Sequence, residues 1–280
     1  MSEGDVIISD ERNHASLIDG IRLTKAPTII YPHQNLNAFE GALRTPRSGR
    51  AIAVTESVFS MDGDLTPLAE MATLADRYDA VLIVDEAHAT GLYGARGSGR
   101  VEELGLRDRV VATMHTGGKS LGSGGAWVAG SSALREVLVN RSRSFIFSTA
   151  PIPILAAAID AALDLLQREP ERRVEVHRKS AMVRQALAAS NISAGGASPI
   201  IPIIASTGSN DAALALQSGL QAAGFDVRAI RPPSVAPGTA RLRVTIRYPI
   251  KDDDLIRFTR EVARLFQDVV GSQFSVISSS

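Results

Sequence analysis

The sequence predicts an α/β protein in which a parallel sheet, covered by helices on both faces, is followed by a smaller α+β domain. From residue 51 onward, short and almost continuously apolar runs alternate with segments of helical periodicity, which is the pattern of buried parallel strands. After about residue 175 the order changes to strand, helix, strand, strand, helix. We therefore predict a large domain over residues 1–174 and a small domain over residues 175–280.

The large domain is predicted to contain four strands, at residues 51–56, 81–86, 110–114 and 126–130. Between the first two we expect a helix that ends near residue 78, with Thr66 as its N-cap and Pro67 in its first turn. The linkers at 91–99 and 117–125 are rich in glycine. A long helical stretch from about residue 153 to 188 should be interrupted near Glu169 and Pro170.

The small domain begins with a loop and a strand within residues 193–206. An amphipathic helix follows and is closed by Gly224, because glycine readily takes the backbone conformation that ends a helix. Two strands, at residues 226–230 and 241–247, precede a final helix from 252 to about 270.

Composition excludes several classes of protein. The 280 residues include 30 basic and 30 acidic side chains, so charge gives no reason to expect a nucleic-acid partner or a membrane surface. The absence of cysteine excludes disulfides and thiolate metal sites. The apolar runs are too short to span a bilayer, and the first residues lack the pattern of a signal peptide. We expect a cytoplasmic protein.

Two short motifs raise the question of an NTPase. Residues 118–120, Gly-Lys-Ser, are similar to the end of a phosphate-binding P-loop, and residues 85–88, Asp-Glu-Ala-His, to a helicase box. A complete P-loop requires a glycine where this chain has Thr113, and it precedes the acidic strand instead of following it. The sequence therefore argues against a P-loop NTPase.

The same order of residues suits another chemistry. Asp85 ends one predicted strand, where open α/β sheets place their sites, and Lys119 follows the next strand in a glycine-rich turn. A lysine amine can form a Schiff base with an aldehyde, and a carboxylate can keep a pyridine nitrogen protonated. These two groups at neighbouring strand ends indicate a site for pyridoxal 5'-phosphate.

Six segments in order resemble the α-oxoamine synthases, pyridoxal phosphate enzymes of fold-type I that condense an amino acid with an acyl-CoA. The segments lie at 13–23, 55–68, 84–99, 115–126, 145–151 and 230–245. The resemblance implies an aminotransferase-like, three-layer α/β/α large domain. The forms IRPP and GTARLR are closest to family members that join L-alanine to a pimeloyl thioester in biotin synthesis. Glycine with acetyl-CoA, or serine with a long acyl chain, remain alternatives.

The resemblance also implies roles for individual residues. Lys119 would form the Schiff base with the cofactor, and Asp85 would bind the pyridine nitrogen. His88 would form a hydrogen bond with the cofactor's phenolic oxygen. The ring of His14 would stack on the pyridine ring. Ser60 would contact the cofactor, and Glu56 would support residues that contact it. Thr116 would bind the cofactor's phosphate. Thr149 would bind the phosphate in the partner subunit of a homodimer. Arg243, assisted by Arg231, would bind the substrate carboxylate, since a guanidinium suits that bidentate contact.

Simpler explanations exist for several of these residues. Glu56 could be a solvated loop carboxylate, Thr149 a helix N-cap, and the arginines of 241–247 an exposed polar face. Asp85 could cap the end of its strand, and Lys119 could be a surface lysine.

Other chemistries have less support. A hydrolase triad of Ser60, Asp85 and His88 lacks the usual nucleophile motif. A metal site of Asp85, Glu86 and His88 is disfavoured because Glu86 would point away from Asp85 on a strand, and no further ligand cluster is present. No metal is therefore expected.

The remaining alternative is an inactive, truncated relative. Members of the family carry about a hundred residues before the segment that matches the start of this chain, including a turn that binds the phosphate. We therefore expect the large domain to be incomplete at its N-terminus.

Overall fold

The computed structural model describes residues 1–205 and 208–277, and the side chains up to residue 268. The chain divides into two compact units. The first comprises Met1–Phe59 and Thr66–Pro170, and the second comprises Ser60–Leu65 and Glu171–Ser280. The change near residue 170 lies four residues before the domain division that the sequence predicts. The inclusion of Ser60–Leu65 in the second unit had no counterpart in the sequence analysis.

The first unit is built on a six-stranded sheet. Its strands, in chain order, are β1 (Val6–Asp10), β2 (Thr28–Tyr31), β3 (Ala51–Glu56), β4 (Ala80–Asp85), β5 (Ala112–Thr116) and β6 (Ala126–Gly130). Their order across the sheet is β2-β1-β3-β4-β5-β6. The four strands predicted from residue 51 onward are confirmed, whereas β1 and β2 were not anticipated.

The prediction of an entirely parallel sheet is wrong for β6, which runs antiparallel to β5. A parallel connection needs a crossover of roughly a dozen residues or more, usually with a helix. The segment 117–125 between β5 and β6 is a glycine-rich turn, so the chain reverses there and pairs back on β5. The strands β1 to β5 are parallel to their neighbours, as expected.

Seven helices belong to the described part of the first unit. They are α1 (Ala15–Thr24), α2 (Leu36–Leu43), α3 (Leu68–Arg77), α4 (Arg100–Glu103), α5 (Ser132–Arg141), α6 (Arg143–Ile146) and α7 (Pro153–Arg168). The core includes the completely buried side chains of Ile8, Phe39, Leu68 and Leu82. Apolar contact between sheet and helices on this scale is the main stabilising term of such a domain.

The predicted N-cap of α3 is wrong. Pro67 occupies the N-cap position and makes no side-chain capping bond. The Thr66 hydroxyl instead donates a hydrogen bond of 2.5 Å to the carbonyl oxygen of Glu56. A buried hydroxyl needs one partner, and this carbonyl at the end of β3 supplies it before the helix begins.

The second unit packs three helices against a three-stranded antiparallel sheet. The helices are α8 (Glu171–Ala189), α9 (Asn210–Ala222) and α10 (Asp252–Ile277), and the strands are β7 (Ile200–Ile204), β8 (Arg228–Ile230) and β9 (Arg241–Thr245), in the order β7-β9-β8. Leu187, Ile201 and Leu242 are completely buried in its core. The predicted order of elements is confirmed, as is the break between α7 and α8, although Ser206 of the predicted strand segment lies outside the described residues.

The parallel register of the first unit brings polar residues together at one edge of the sheet. Asp10 ends β1, Glu56 ends β3 and Asp85 ends β4. Glu56 and Asp85 are direct neighbours in the pairing of β3 with β4. Because the strands are parallel, all three carboxyl groups lie at the carboxyl ends, the edge where α/β sheets usually form their sites.

Candidate active site

Asp85 is a buried carboxylate with one satisfied oxygen. Its side chain is 4% exposed, and Oδ1 accepts a 2.7 Å hydrogen bond from the Ala87 backbone. The other oxygen, Oδ2, accepts no hydrogen bond from the residues that the structure describes. Burial raises the pKa of Asp85, while Ala87, Lys119 and His14 act against that rise. The arrangement includes the capping contact proposed as the simpler explanation, and it also leaves an acceptor for a cationic N–H donor.

Glu56 lies beside Asp85 and is not solvated. Its side chain is 3% exposed and accepts a 2.6 Å hydrogen bond from the backbone N–H of His14. Burial, reinforced by the charge of Asp85, raises the pKa of Glu56 to about 8, against the opposing effect of Lys119. The interpretation as a solvated loop carboxylate is therefore wrong.

His14 is held at the start of α1. It is the N-cap residue, and its Nδ1 atom accepts a 3.2 Å hydrogen bond from the Ser16 backbone. The preceding residue, Asn13, is buried and donates to the Ser9 hydroxyl at 2.9 Å and to the Val54 carbonyl at 2.8 Å. Asn13 thus fastens the segment to β1 and β3, while the His14 ring remains exposed.

Lys119 lies in the turn between β5 and β6. The side chain is exposed, and its charge acts on both Glu56 and Asp85. The Thr116 hydroxyl spans the turn, donating to the Gly125 carbonyl and accepting from the Gly118 backbone, both at 3.3 Å. Thr116 is therefore engaged within the turn that carries Lys119, and its predicted contact with a phosphate stays a prediction.

The turn around Lys119 differs from a P-loop. The chain passes from this turn directly into β6, whereas a P-loop leads into a helix whose N-terminus binds phosphate. His88, the last residue of the helicase-like tetrapeptide, lies half-buried in the turn after β4. Among the described residues, no three acidic or histidine side chains form a group that could hold a metal ion.

The second unit contains Ser60, Arg243 and Arg231. The Nε atom of Arg243 donates a 2.6 Å hydrogen bond to the Ser60 carbonyl, and burial lowers the pKa of Arg243. The neighbouring Arg241 is 6% exposed and forms an ion pair with Asp62. These two arginines are therefore not an exposed polar face, whereas Arg231, after β8, is exposed.

Thr149 is exposed in the segment between α6 and α7. It is not the N-cap of α7, because Ile152 holds that position ahead of Pro153. The large side chains around Thr149 are also exposed: Phe145 by 64%, Phe147 by 72% and Ile152 by 63%. Thr149 therefore lies within an exposed, largely apolar segment of the first unit.

Asp10 and His33 were not singled out from the sequence. Asp10 is 2% exposed, and its Oδ1 atom lies 2.9 Å from Nδ1 of His33. The charge of Asp10 contributes to the raised pKa of Glu56. The signal was present, since Val6–Asp10 is an apolar strand that ends in an acid, as is Ala80–Asp85.

No helix in the described part of the chain is both long enough and apolar enough to cross a membrane. A family model described as aminotransferase class I and II matches residues 1–257. The chain is 46% identical over 243 residues to the 8-amino-7-oxononanoate synthase of Anaeromyxobacter dehalogenans strain 2CP-1. The aligned region covers 86% of this chain and 61% of that protein. Across four such curated relatives, the chain spans 61% to 65% of their length.

Solved structures agree with the family match. A serine palmitoyltransferase with pyridoxal phosphate has a TM-score of 0.90 and 26% identity, over 96% of this chain and 68% of that one. The 8-amino-7-oxononanoate synthase of Francisella tularensis has a TM-score of 0.80 and 26% identity, and the match covers 94% of this chain and 76% of that one. The fold is thus the predicted fold-type I arrangement. The chain belongs to the pyridoxal-phosphate-dependent aminotransferase class I and II family, within its α-oxoamine synthase group.

Proposed function

We propose that this chain belongs to a pyridoxal-phosphate-dependent acyltransferase. The reaction joins L-alanine to pimeloyl-CoA, releases carbon dioxide and free CoA, and gives 8-amino-7-oxononanoate for biotin synthesis. The observation that carries the proposal is the buried Asp85 carboxylate, with one oxygen unpaired among the described residues and with Lys119, Glu56 and His14 close enough to alter the pKa of neighbouring acids. The relatives named above support the choice of substrates.

The residues present fit the cofactor. When bound, pyridoxal phosphate supplies an electron sink that stabilises negative charge on the carbon next to the amino group. Asp85 is suited to accept a hydrogen bond from a protonated ring nitrogen, because a buried carboxylate favours a cationic partner over an unpaired state. Lys119 is the amine for the covalent attachment, and it later holds or moves a proton at its Nζ atom.

The other residues of the first unit would fix the cofactor's position. His14 would stack on the ring, and Glu56 holds the backbone of His14 in place for that contact. His88 would donate to the phenolic oxygen. Thr116, and Thr149 of a second copy, would contact the phosphate. In the second unit, Ser60 would contact the cofactor, and Arg243 with Arg231 would bind the carboxylate of the amino acid.

We also propose a cytoplasmic homodimer with sites at its interface. The exposed apolar side chains on both sides of Thr149 support this assignment, since a second copy would cover them. No nucleic acid or membrane takes part in the proposed reaction.

Covalent trapping tests the proposal. The chain is mixed with pyridoxal phosphate, reduced with borohydride and digested, and the modified peptide is identified by mass spectrometry. We expect the pyridoxyl group on Lys119, with Lys119→Ala as the blank. The other lysines, at 25, 179 and 251, serve as internal controls. Modification spread evenly over the four lysines would contradict the proposal.

Serine palmitoyltransferase activity is the second candidate, because the structures of that enzyme reach the TM-score of 0.90. Release of CoA is measured with pimeloyl-CoA, palmitoyl-CoA and acetyl-CoA, each combined with L-alanine, L-serine or glycine. The proposal predicts the highest kcat/KM for L-alanine with pimeloyl-CoA. Preference for L-serine with palmitoyl-CoA, or for glycine with acetyl-CoA, would assign the chain to another α-oxoamine synthase.

A further inference from the structure

Glu86 is completely buried, but it has no part in the cofactor chemistry above. Three donors converge on its carboxylate. Oε2 accepts from the Ser57 hydroxyl at 2.6 Å and from the Arg100 backbone at 3.1 Å, and Oε1 accepts from the Val101 backbone at 2.6 Å. The side chain therefore connects the segment after β3 to the end of the loop 91–101. Burial raises the pKa of Glu86, and the three hydrogen bonds oppose that rise.

Gly99 shows how closely this loop approaches the carboxylate. Its φ angle is 125°, a conformation that residues with a side chain rarely adopt. A Cβ atom at this position would lie 2.7 Å from the carboxyl carbon of Glu86. Only glycine therefore lets the backbone N–H groups of Arg100 and Val101 reach the carboxylate.

Thr90, the residue immediately before this loop, contacts the turn that carries Lys119. The Ser120 hydroxyl donates to the Thr90 carbonyl, and a Cβ atom on Gly91 would lie 2.5 Å from the Ser120 Oγ atom. The backbone N–H of Gly91 in turn donates to the Gly97 carbonyl at 2.8 Å, which closes the loop on itself. A displacement of the loop at Gly97 would thus be transmitted to Ser120.

We propose that Glu86 is a positioning residue for Lys119. By binding Ser57 and the N–H groups of Arg100 and Val101, its carboxylate fixes the loop 91–101, and this loop holds the Lys119 turn through Ser120. The link to catalysis rests on the proposed role of Lys119. The fixing of the loop does not depend on that role.

The effect requires a carboxylate and not merely a side chain of the same size. A carboxylate offers acceptors to all three donors, whereas a glutamine amide has one acceptor oxygen and presents its own N–H groups to at least one of them. Hydrogen bonds to a charged group are also stronger than those to a neutral one. Glu86→Gln therefore loosens the loop while it preserves packing.

Two measurements on the full chain test the proposal. Hydrogen exchange followed by mass spectrometry reports on the loop, and the rate of borohydride-trapped pyridoxal phosphate attachment reports on Lys119. In Glu86→Gln we expect exchange across 97–105 to accelerate by roughly 10- to 100-fold, the range for losing a hydrogen bond to a charged group. The rate constant for pyridoxal phosphate attachment should fall about 10-fold. The final extent of attachment and the circular dichroism spectrum should match those of the unmodified chain.

The matched control is Glu70→Gln, which removes an exposed carboxylate from the first turn of α3, outside the loop. It should leave both measurements unchanged. If Glu86→Gln does not fold, Ser57→Ala, which removes one of the three donors, replaces it with a smaller effect in the same direction.

Unaltered exchange in the loop would overturn the proposal. A lower final extent of pyridoxal phosphate attachment with an unchanged rate constant would also overturn it, because that pattern reports a smaller fraction of folded protein. If the unmodified chain shows no attachment at Lys119, the proposed function fails. Accelerated exchange in the loop and in the 115–126 segment would still support the positioning of the turn by Glu86, and normal exchange in 115–126 would refute it.

Discussion

Replacing Glu56 with glutamine should change how the stability of this chain depends on pH. Glu56 is an acid whose pKa is raised to about 8 by burial and by the charge of Asp85. The folded state therefore favours the protonated form of Glu56, in contrast to the unfolded state. The resulting stability is fully present below pH 4.5, the ordinary value, and is lost as the pH rises to about 8.

The magnitude follows from the separation of these two pKa values. Between them, each pH unit weakens the folded state by about 1.4 kcal/mol. The unmodified chain should thus lose about 2 to 3 kcal/mol between pH 6 and pH 8 through Glu56 alone. Burial also raises the pKa of Asp85, so that residue acts in the same direction. In Glu56→Gln the pH-dependent contribution of Glu56 to the free energy of unfolding disappears. The glutamine amide oxygen can still accept the hydrogen bond from the His14 backbone.

Urea unfolding of the cofactor-free chain, measured at half-unit intervals from pH 6 to pH 9, gives the free energy of unfolding of both proteins. From pH 6 to pH 8 the unmodified chain should lose about 2 to 3 kcal/mol relative to Glu56→Gln, and Glu56→Gln should be the more stable of the two above pH 8. Glu103→Gln, which lacks a surface carboxylate, should follow the unmodified chain. Parallel pH curves for Glu56→Gln and the unmodified chain would refute the assignment of a raised pKa to Glu56.

Three further substitutions test other parts of the structure. Asp85→Asn should lower turnover by roughly 10²- to 10³-fold, as expected for one preorganised electrostatic group, while covalent trapping persists; near-normal turnover would remove Asp85 from its role. Arg243→Ala should raise the KM for the amino acid by about 10- to 100-fold and leave the KM for acyl-CoA almost unchanged; the opposite result would place Arg243 at the CoA. Gly99→Ala should cost about 1–3 kcal/mol of stability in strain plus its clash with Glu86, whereas Gly105→Ala, also at positive φ but with no atom within 4 Å of the added Cβ, should cost only the strain. Equal losses at the two glycines, measured by thermal unfolding, would show that the approach to Glu86 is unimportant.

The strands from residue 51 onward could be predicted because buried strands consist of nearly continuous apolar residues, and such runs are visible in the sequence. Thr28–Tyr31 was missed for a physical reason, since this edge strand is short and two of its four residues are exposed. The direction of β6 depends on the length and conformation of the turn before it, which apolar patterning does not report. The Thr66 cap failed because the hydroxyl found a buried carbonyl, a contact that appears only after the chain has folded.

The candidate site was predictable to the extent that its residues lie at strand ends. Asp85 and Glu56 fall at the carboxyl ends of predicted strands, and the structure places them side by side. The pKa of Glu56 could not be anticipated, because it depends on burial and on charges from two other strands. The partners of Arg243 and Arg241, at Ser60 and Asp62, are likewise far away in sequence.

The adjacent acids Asp85 and Glu86 show how one strand end can serve two purposes. Side chains alternate across a strand, so two consecutive acids must face opposite sides of the sheet. Asp85 has one oxygen without a partner among the described residues, whereas both oxygens of Glu86 are occupied by donors from Ser57, Arg100 and Val101. An acceptor without a protein partner is available to a ligand, whereas a fully paired buried carboxylate stabilises its surroundings. We therefore expect Asp85 to be the acid that accepts a hydrogen bond from a ligand. We expect Glu86 to hold in place the backbone on which the Lys119 turn depends.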